Sequence, residues 1–222
     1  MRQFISFAMV AVLLSGCAGQ PEKPLRYSGF LSTKYYDRLT KVETPSGQIL
    51  FRYLDPDFIP SNYHQVIVDP VGAYPEPKKN KHMSMDMLQI LKSRFTNFLE
   101  NGFSKVLPLT DTPGVGVLRI QIAITGVDVS SKGLEPYEYL PFALIAAGAN
   151  TAAGGRDQEV NLFLEGRIVD SVTNKVLAVG IRQIRGEDLE NANTELQINQ
   201  LGEGLKVAGN DFVTGLNRLF SK

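Results

Sequence analysis

The chain has 222 residues, with 23 lysines and arginines balanced by 23 aspartates and glutamates, so it carries no formal net charge at neutral pH. This balance argues against the basic surface that nucleic-acid binding requires, and we expect no nucleic-acid partner. Hydrophobic residues make up 43% of the chain, which is enough for a sizeable core, so most of the chain is predicted to fold.

The first 16 residues have the order of a secretion signal: a basic residue, an apolar run, and then small residues before a cysteine. The apolar run extends from Phe4 to Leu14. It is shorter than the about 20 apolar residues that a membrane-spanning helix needs. Cleavage after residue 16 is therefore favoured over a retained transmembrane helix.

Cys17 is the single cysteine of the chain and directly follows Leu14, Ser15 and Gly16. This segment resembles the lipobox of bacterial lipoproteins. The resemblance implies that diacylglycerol alkylates the thiol, that the signal is cut before Cys17, and that the new amine is acylated. Two or more acyl chains hold a protein stably at a membrane, whereas one chain is marginal. The alternative is an ordinary signal peptide with a chance cysteine at its end.

Residues 17–24 are small, polar and proline-bearing, and they are predicted to form a lipidated tether to a single domain over residues 25–222. By resemblance to Gram-negative lipoproteins, Ala18 instead of aspartate after the cysteine implies sorting to the outer membrane, facing the periplasm. The expected partner is therefore a membrane, reached through the lipid anchor. With one cysteine, no disulfide is expected in the domain.

Residues 25–63 mix aromatic residues with prolines without a sustained period, and we interpret them as an irregular wrap of turns and short elements. The β-branched run at residues 65–68 predicts a first strand. Ser84 is a predicted cap of a helix with apolar residues at intervals of three and four, ending at Gly102. Residues 103–107 are predicted to follow as a second strand.

Apolar and polar residues alternate from Leu118 to Thr125, which predicts a long strand with one buried face. The alternation changes phase after Gly126, which indicates a bulge. Residues 160–169 and 176–184 predict a strand pair, and the polar residues between them predict a turn. Asp170 begins that turn, and turn chemistry is favoured for it over a functional role.

A last helix is predicted over residues 195–219. It contains Gly202, Gly204, Gly209 and Gly215, and each glycine costs about 1 kcal/mol relative to alanine in a helix interior. Packing must therefore hold this helix in place. The glycines would allow close approach to a sheet or to a partner helix.

Residues 141–155 combine Phe142, Leu144 and Ile145 with a run of alanines and glycines. The segment is too short and too interrupted to span a membrane. We favour a buried helix or loop, since apolar stretches usually pack into a core. The alternative is an interaction surface for self-association or for contact with lipid near the anchor.

The sequence contains no recognisable catalytic set. His64 and His82 are the two histidines, and they lack the spacing of a metal site, so no metal and no cofactor are expected. A nucleophile elbow and a phosphate-binding loop are also missing. Glu135 and Glu138 are only weak evidence for glycoside hydrolysis. We therefore predict no catalytic residues and no enzymatic activity.

Several segments together resemble a family of uncharacterised Gram-negative lipoproteins, domain of unknown function 3313. They are residues 27–31, 66–71, 118–125, 170–171 and 176–178. The resemblance implies the same location in the cell envelope and transfers no catalytic residue.

The order of elements predicts an α+β fold, a two-layer sandwich of an antiparallel or mixed sheet with helices on one face. The favoured function is a non-enzymatic envelope lipoprotein that binds or scaffolds another envelope protein. One alternative is a carrier or sensor with a lipid or peptidoglycan fragment bound between sheet and helices. A hydrolase of envelope substrates is the third hypothesis.

Overall fold

The computed structural model describes four ranges of the chain: residues 28–77, 83–131, 158–190 and 195–220. Cys17, its tether, and the segment that contains Phe142, Leu144 and Ile145 lie outside these ranges. The predictions of lipidation and of an interaction surface therefore stay predictions. Within the described ranges, no helix is both long enough and apolar enough to cross a bilayer.

The described residues form seven strands and three α-helices. The strands are β1 (Thr40–Glu43), β2 (Ile49–Leu54), β3 (Gln65–Val68), β4 (Gly72–Ala73), β5 (Val117–Ser131), β6 (Gln158–Asp170) and β7 (Val176–Arg185). The helices are α1 (Thr33–Tyr36), α2 (Met85–Phe103) and α3 (Gly202–Phe220), with short 3-10 helices at Pro60–Asn62 and Ile198–Leu201.

The strands form one mixed sheet in the order β1-β2-β7-β6-β5-β3, and β4 also pairs with β5. Strands β3 and β4 are parallel to β5, whereas the other pairs are antiparallel. The long helices α2 and α3 pack on one face of this sheet, and the main core lies between the two layers. The predicted α+β class is confirmed. The one-turn helix α1 lies against the other face, where Tyr35 and Tyr36 belong to one buried cluster with Val179 and Ile181 of β7.

The predicted bulge in the long strand is confirmed. The register of β5 against β6 shifts between Ile124 and Gly126, so that Ile124 lies opposite Leu164 and Gly126 lies opposite Phe163. The extra residue returns Val127 to the face that Ile124 occupies, and both are buried in the same core cluster. The change of alternation in the sequence thus reflects a change of register.

The predicted pair of strands β6 and β7 is confirmed, and Asp170 acts in their turn. Its Oδ1 atom accepts hydrogen bonds from the backbone N–H of Val172 at 3.1 Å and of Thr173 at 2.8 Å. Asn174 adopts a φ of 56°, a left-handed conformation that asparagine tolerates.

The helix predicted after Ser84 is confirmed, since the Ser84 hydroxyl accepts a hydrogen bond of 3.2 Å from the N–H of Met87. The strand predicted over residues 103–107 is wrong. Phe103 ends α2, and the N–H of Leu107 bonds to the Phe103 carbonyl at 2.8 Å, so the chain continues as turns. Both side chains are buried beside Leu216 of α3, and helix packing produces the apolar pattern that resembles a strand.

Two further predictions differ from the structure. The irregular wrap predicted over residues 25–63 contains the hairpin β1-β2, which extends the sheet through pairing of β2 with β7. Strand β2 shows no alternation in the sequence because both of its faces carry apolar side chains, with Phe51 and Tyr53 on one face and Leu50 on the other. The last helix begins later than predicted, because a 3-10 turn precedes Gly202.

Candidate functional site: a groove between the sheet and the helices

An open cavity of about 700 Å³ lies between the helix-covered face of the sheet and helices α2 and α3. We call it the groove. Its floor is formed by β2, β5, β6 and β7, and its walls are formed by α2 and α3. Small-molecule sites have volumes of roughly 300–1,000 Å³ and mostly apolar linings, and the groove has this character.

The floor of the groove contains a row of residues that crosses four strands. Arg52 of β2 lies opposite Gly180 of β7, Gly180 lies opposite Gly166 of β6, and Gly166 lies opposite Ile122 of β5. We call this row the glycine track. Neither glycine contributes a side chain to the space below the helices, although Ile122 Cγ1 lies 3.0 Å from a Cβ position at Gly166 and Leu50 Cδ1 lies 3.6 Å from one at Gly180. The track therefore forms a shallow trough between a cationic end at Arg52 and an apolar end at Ile122.

The apolar floor beside the glycine track remains partly accessible. Leu164 and Ile168 flank Gly166 on β6, a central strand, and both are only half-buried. Residues of a central strand below a helix layer are normally buried, because that is where a two-layer domain forms its core. Their exposure shows that α2 and α3 leave apolar surface uncovered here.

The helix wall is aromatic. The rings of Phe98 and Phe212 lie 5.8 Å apart, and Phe212 also contacts Phe103 at 5.3 Å in an edge-on arrangement. Gly209 allows this contact between α2 and α3, because a Cβ atom there would lie 2.7 Å from the Phe98 ring. The glycines of the last helix were predicted to allow close approach to a sheet or to another helix. This close approach is seen at Gly209, where α3 packs against α2. It is also seen at Gly204, where a Cβ atom would collide with the carbonyl oxygen of Arg185 in the sheet.

A buried ion pair joins the groove wall to the floor. Asp211 of α3 is 6% exposed, and its Oδ2 atom accepts a hydrogen bond of 2.6 Å from Nη2 of Arg182 on β7. Ser46, in the turn between β1 and β2, donates to the same carboxylate from its backbone N–H at 2.9 Å and from its hydroxyl at 2.6 Å. The carboxylate thus connects α3, the sheet and the β1-β2 turn.

The surroundings of Asp211 keep it ionised. Burial raises the pKa of the Asp211 carboxyl, but hydrogen bonds from Ser46, Arg182 and Thr44 outweigh burial, and the net pKa lies below its ordinary value. A carboxylate that several donors already hold has a poor capacity to take up a proton. Asp211 therefore suits a structural role at the groove better than a role as a general base.

Arg182 keeps one donor without a partner. Its Nε atom is buried, and within the described residues it has no hydrogen-bond partner. An unsatisfied buried donor costs about 1–3 kcal/mol, and more when it is charged. Arg182 also lines the groove, but its Nε atom is enclosed by protein.

The polar lining of the groove is mainly cationic. Arg52, Arg94 and Lys105 line the groove, and in the part of the chain that the structure describes none of them forms an ion pair. Glu165 belongs to the lining strand, but its side chain bonds to Tyr36 on the other face of the sheet. The groove therefore combines apolar surface with an excess of positive charge.

The described residues considered from the sequence for metal binding or function, His64 and Asp170, do not come together in a site. His64 is exposed, and its backbone N–H bonds to the carbonyl of Gly116. Among the described residues, no group of three His, Cys, Asp or Glu side chains is placed to hold a metal ion. Asp170 serves the turn between β6 and β7.

Sequence reasoning missed the residues that build the groove, although two signals were present. Gly166 and Gly180 interrupt otherwise alternating strands, and a glycine inside a strand often marks a close approach of backbone or ligand. Asp211 lies between Ala208 and Phe212 on the apolar side of the last helix, which is an unusual place for a charge. The pairing that joins these signals is visible only in the folded chain.

The fold is that of an α+β domain with a mixed sheet and a helix-lined apolar groove. Sequence comparison shows the family to which this domain belongs. Residues 26–212 match the family described as Protein of unknown function (DUF3313), and the chain belongs to this family. It is 35% identical over 201 residues to "Uncharacterized lipoprotein YdcL" of Escherichia coli strain K12, covering 88% of this chain and 90% of the relative. The protein of the same name from Escherichia coli O157:H7 matches to the same extent. The resemblance noted in the sequence is confirmed, and the chain is a lipoprotein of the cell envelope.

Solved structures are similar only at a low level. The PelC dodecamer from Paraburkholderia phytofirmans has a TM-score of 0.35 and 10% identity, over 78% of this chain and 98% of that chain. Lipoprotein GNA1162 from Neisseria meningitidis has a TM-score of 0.32 and 15% identity, over 68% and 99% of the two chains. These TM-scores are too low to carry an argument about function or assembly.

Proposed function

We propose that the protein is a non-enzymatic lipoprotein of the cell envelope that binds a small apolar molecule in the groove. The observation that carries this proposal is the glycine track, where Gly166 and Gly180 lie opposite each other and the apolar side chains of Leu164 and Ile168 beside them are only half-buried. A domain without a ligand gains about 25 cal/mol for each Å² of apolar surface that it buries. Leaving such a groove open is therefore costly unless a ligand fills it.

The same proposal includes the location of the protein. An acylated Cys17 would hold the domain at the outer membrane, on its periplasmic side, as Ala18 at the next position implies. The short tether keeps the groove close to the bilayer surface. An apolar ligand would thus be exchanged near the phase in which it is most soluble.

The test compares two glycine substitutions in the same sheet. Gly180→Leu places a side chain in the groove, and its Cβ atom would meet Leu50 Cδ1 at an ordinary 3.6 Å. The matched control is Gly72→Leu in β4, outside the groove, where the nearest atom to a Cβ would be the Ile122 carbonyl oxygen at 4.0 Å.

The measurement is binding of the apolar fluorophore N-phenyl-1-naphthylamine to the acylated full-length protein in nanodiscs, with empty nanodiscs as the baseline. We expect saturable binding by the wild type and by Gly180→Leu at least about tenfold weaker, with Gly72→Leu unchanged. Circular dichroism checks that each variant is folded. Equal binding by the wild type and Gly180→Leu, or no binding above the nanodisc baseline, would contradict the proposal.

A second candidate is the scaffold role, in which another envelope protein occupies the mouth of the groove. It is favoured by Leu54, which lines the groove and is 39% exposed. Photo-crosslinking from position 54 in intact cells would distinguish the two candidates. One recurrent protein adduct would support the scaffold role, whereas adducts with lipid alone would support the small-molecule proposal.

A further inference from the structure

We propose that the ligand of the groove is a single-chain amphiphile with an anionic head group, and that Arg52 and Arg182 bind this head. The inference rests on the proposed function and specifies the class of molecule that the groove takes.

The register brings the two arginines to the same end of the groove. Arg52 is directly opposite Gly180, and Arg182 is two residues further along β7 on the same face. Such diagonal neighbours on adjacent strands lie about 7–8 Å apart and are within reach of each other's long side chains. Gly180 has no side chain between the two arginines, and the apolar side chain of Leu50, opposite Arg182, lies beside this space with its Cδ1 atom 3.6 Å from a Cβ position at Gly180.

The charges at this end are not balanced. Asp211 compensates Arg182 through the bond of 2.6 Å, but Arg52 has no carboxylate partner within the described residues. Two guanidinium groups beside one carboxylate leave one positive charge. An anionic group placed between the arginines would neutralise that charge. Arginine is well suited to this task because its planar donors match carboxylate and phosphate oxygens.

The apolar part of the ligand is defined by the remainder of the track. From Arg52 the floor continues over Gly180 and Gly166 to Ile122, and strand spacing makes each step about 4.8 Å. The Ile122 side chain closes the trough at Gly166, because its Cγ1 atom lies 3.0 Å from a Cβ position there. The open part therefore covers two steps, about 10 Å, and the Phe98 and Phe212 side chains line the opposite wall. A narrow trough of this length suits one acyl chain better than a bulky polar fragment.

Carboxylates of fatty acids and phosphate esters of lysophospholipids share this chemistry, and the test includes both. The acylated full-length protein in nanodiscs of zwitterionic lipid is loaded with a fluorescent fatty acid. Oleate, lysophosphatidylglycerol and neutral monooleoylglycerol are then compared as displacing ligands. We expect the anionic ligands to displace the probe at concentrations at least about tenfold lower than the neutral one. A stronger effect of oleate would assign the head to a carboxylate, and a stronger effect of the phospholipid would assign it to a phosphate ester.

Two variants connect the preference to the arginine pair. Arg52→Gln should reduce the preference for anions over monooleoylglycerol to less than about threefold. Arg218→Gln, which removes a charge from an exposed position of α3 outside the groove, should keep the preference. Equal displacement by anionic and neutral ligands, or a preference that survives Arg52→Gln, would overturn this inference and leave the proposed function intact. A wild-type protein that binds N-phenyl-1-naphthylamine but not the fatty-acid probe would likewise overturn this inference alone, whereas one that binds neither would overturn the proposed function.

Discussion

The phenol of Tyr36 donates a hydrogen bond of 2.5 Å to the carboxylate of Glu165, although the two residues are 129 positions apart in the sequence. Glu165 is 3% exposed and its side chain lies on the face of the sheet opposite the groove. Burial raises the pKa of the Glu165 carboxyl, and hydrogen bonds from Tyr36, Ser28 and Thr125 offset only part of that rise. Burial also raises the pKa of the Tyr36 phenol above its ordinary value. This bond holds the first described segment, which follows the predicted tether, against the sheet.

The raised pKa of Glu165 predicts a pH dependence of stability. A carboxyl with a higher pKa in the folded state contributes stability that is present below its ordinary pKa of 4.5 and is lost as the pH rises through the folded pKa. Glu165→Gln cannot titrate, so we expect its free energy of unfolding to fall less than that of the wild type from about pH 4.5 to pH 7. Urea unfolding at a series of pH values measures this. Glu203→Gln, at an exposed position on α3, is the control, and parallel curves for wild type and Glu165→Gln would refute the prediction.

Removal of Asp211 should destabilise the protein strongly at neutral pH. Asp211→Ala leaves Arg182 buried without its partner, and breaking a buried ion pair in this way costs about 3–5 kcal/mol. Because the pKa of Asp211 is lowered, its contribution is present above its ordinary pKa of 3.8 and is lost as the pH falls through the folded pKa. The difference between wild type and variant in urea unfolding should therefore shrink in acid.

The control for this measurement is Asp57→Ala. Asp57 pairs with Lys175 at 3.4 Å and its side chain is 86% exposed, so solvent screens the pair and its loss should change stability little. A similar effect of the two substitutions would show that the bond between Asp211 and Arg182 does not stabilise the contact between α3 and the sheet.

Two glycines of α3 should respond in opposite directions to alanine. Gly215 has no atom within 4 Å of a Cβ position, so Gly215→Ala should raise the free energy of unfolding by up to about 1 kcal/mol through helix propensity. Gly204→Ala should lower it, because the Cβ atom would collide with the backbone carbonyl of Arg185. Thermal unfolding of the two variants measures both effects. Stabilisation by both substitutions would contradict the close packing of α3 on β7.

The predicted anchor can be tested by fractionation of cells. Cys17→Ser removes the thiol that would be acylated, and we expect the protein to move from the membrane fraction to the soluble fraction. Ser15→Ala keeps a small residue before the cut site and should leave the protein at the membrane. Ala18→Asp should move the protein from the outer to the inner membrane, because the absence of aspartate after the cysteine is what implies sorting to the outer membrane. A Cys17→Ser protein that remains in the membrane fraction would contradict lipidation as the means of attachment.

Local patterns in the sequence predicted those elements whose core faces repeat along the chain. Alternation predicted β5 and its bulge at Gly126, and the cap at Ser84 predicted the start of α2. The same approach failed at residues 103–107, because an apolar turn packed between helices has the composition of a strand. It also missed the hairpin β1-β2, because apolar residues on both faces of β2 conceal its period.

The sequence by itself determined the family, the fold class and the predicted anchor at Cys17, because each depends on residue types at fixed local spacing. Only the tertiary structure decided where the candidate site lies. The glycine track exists because β2, β7, β6 and β5 pair in a register that aligns Arg52, Gly180, Gly166 and Ile122. The ion pair of Arg182 and Asp211 likewise joins a strand to a helix that lies later in the chain. Such contacts depend on register and helix placement, which are set by the packing of the whole domain rather than by any local pattern.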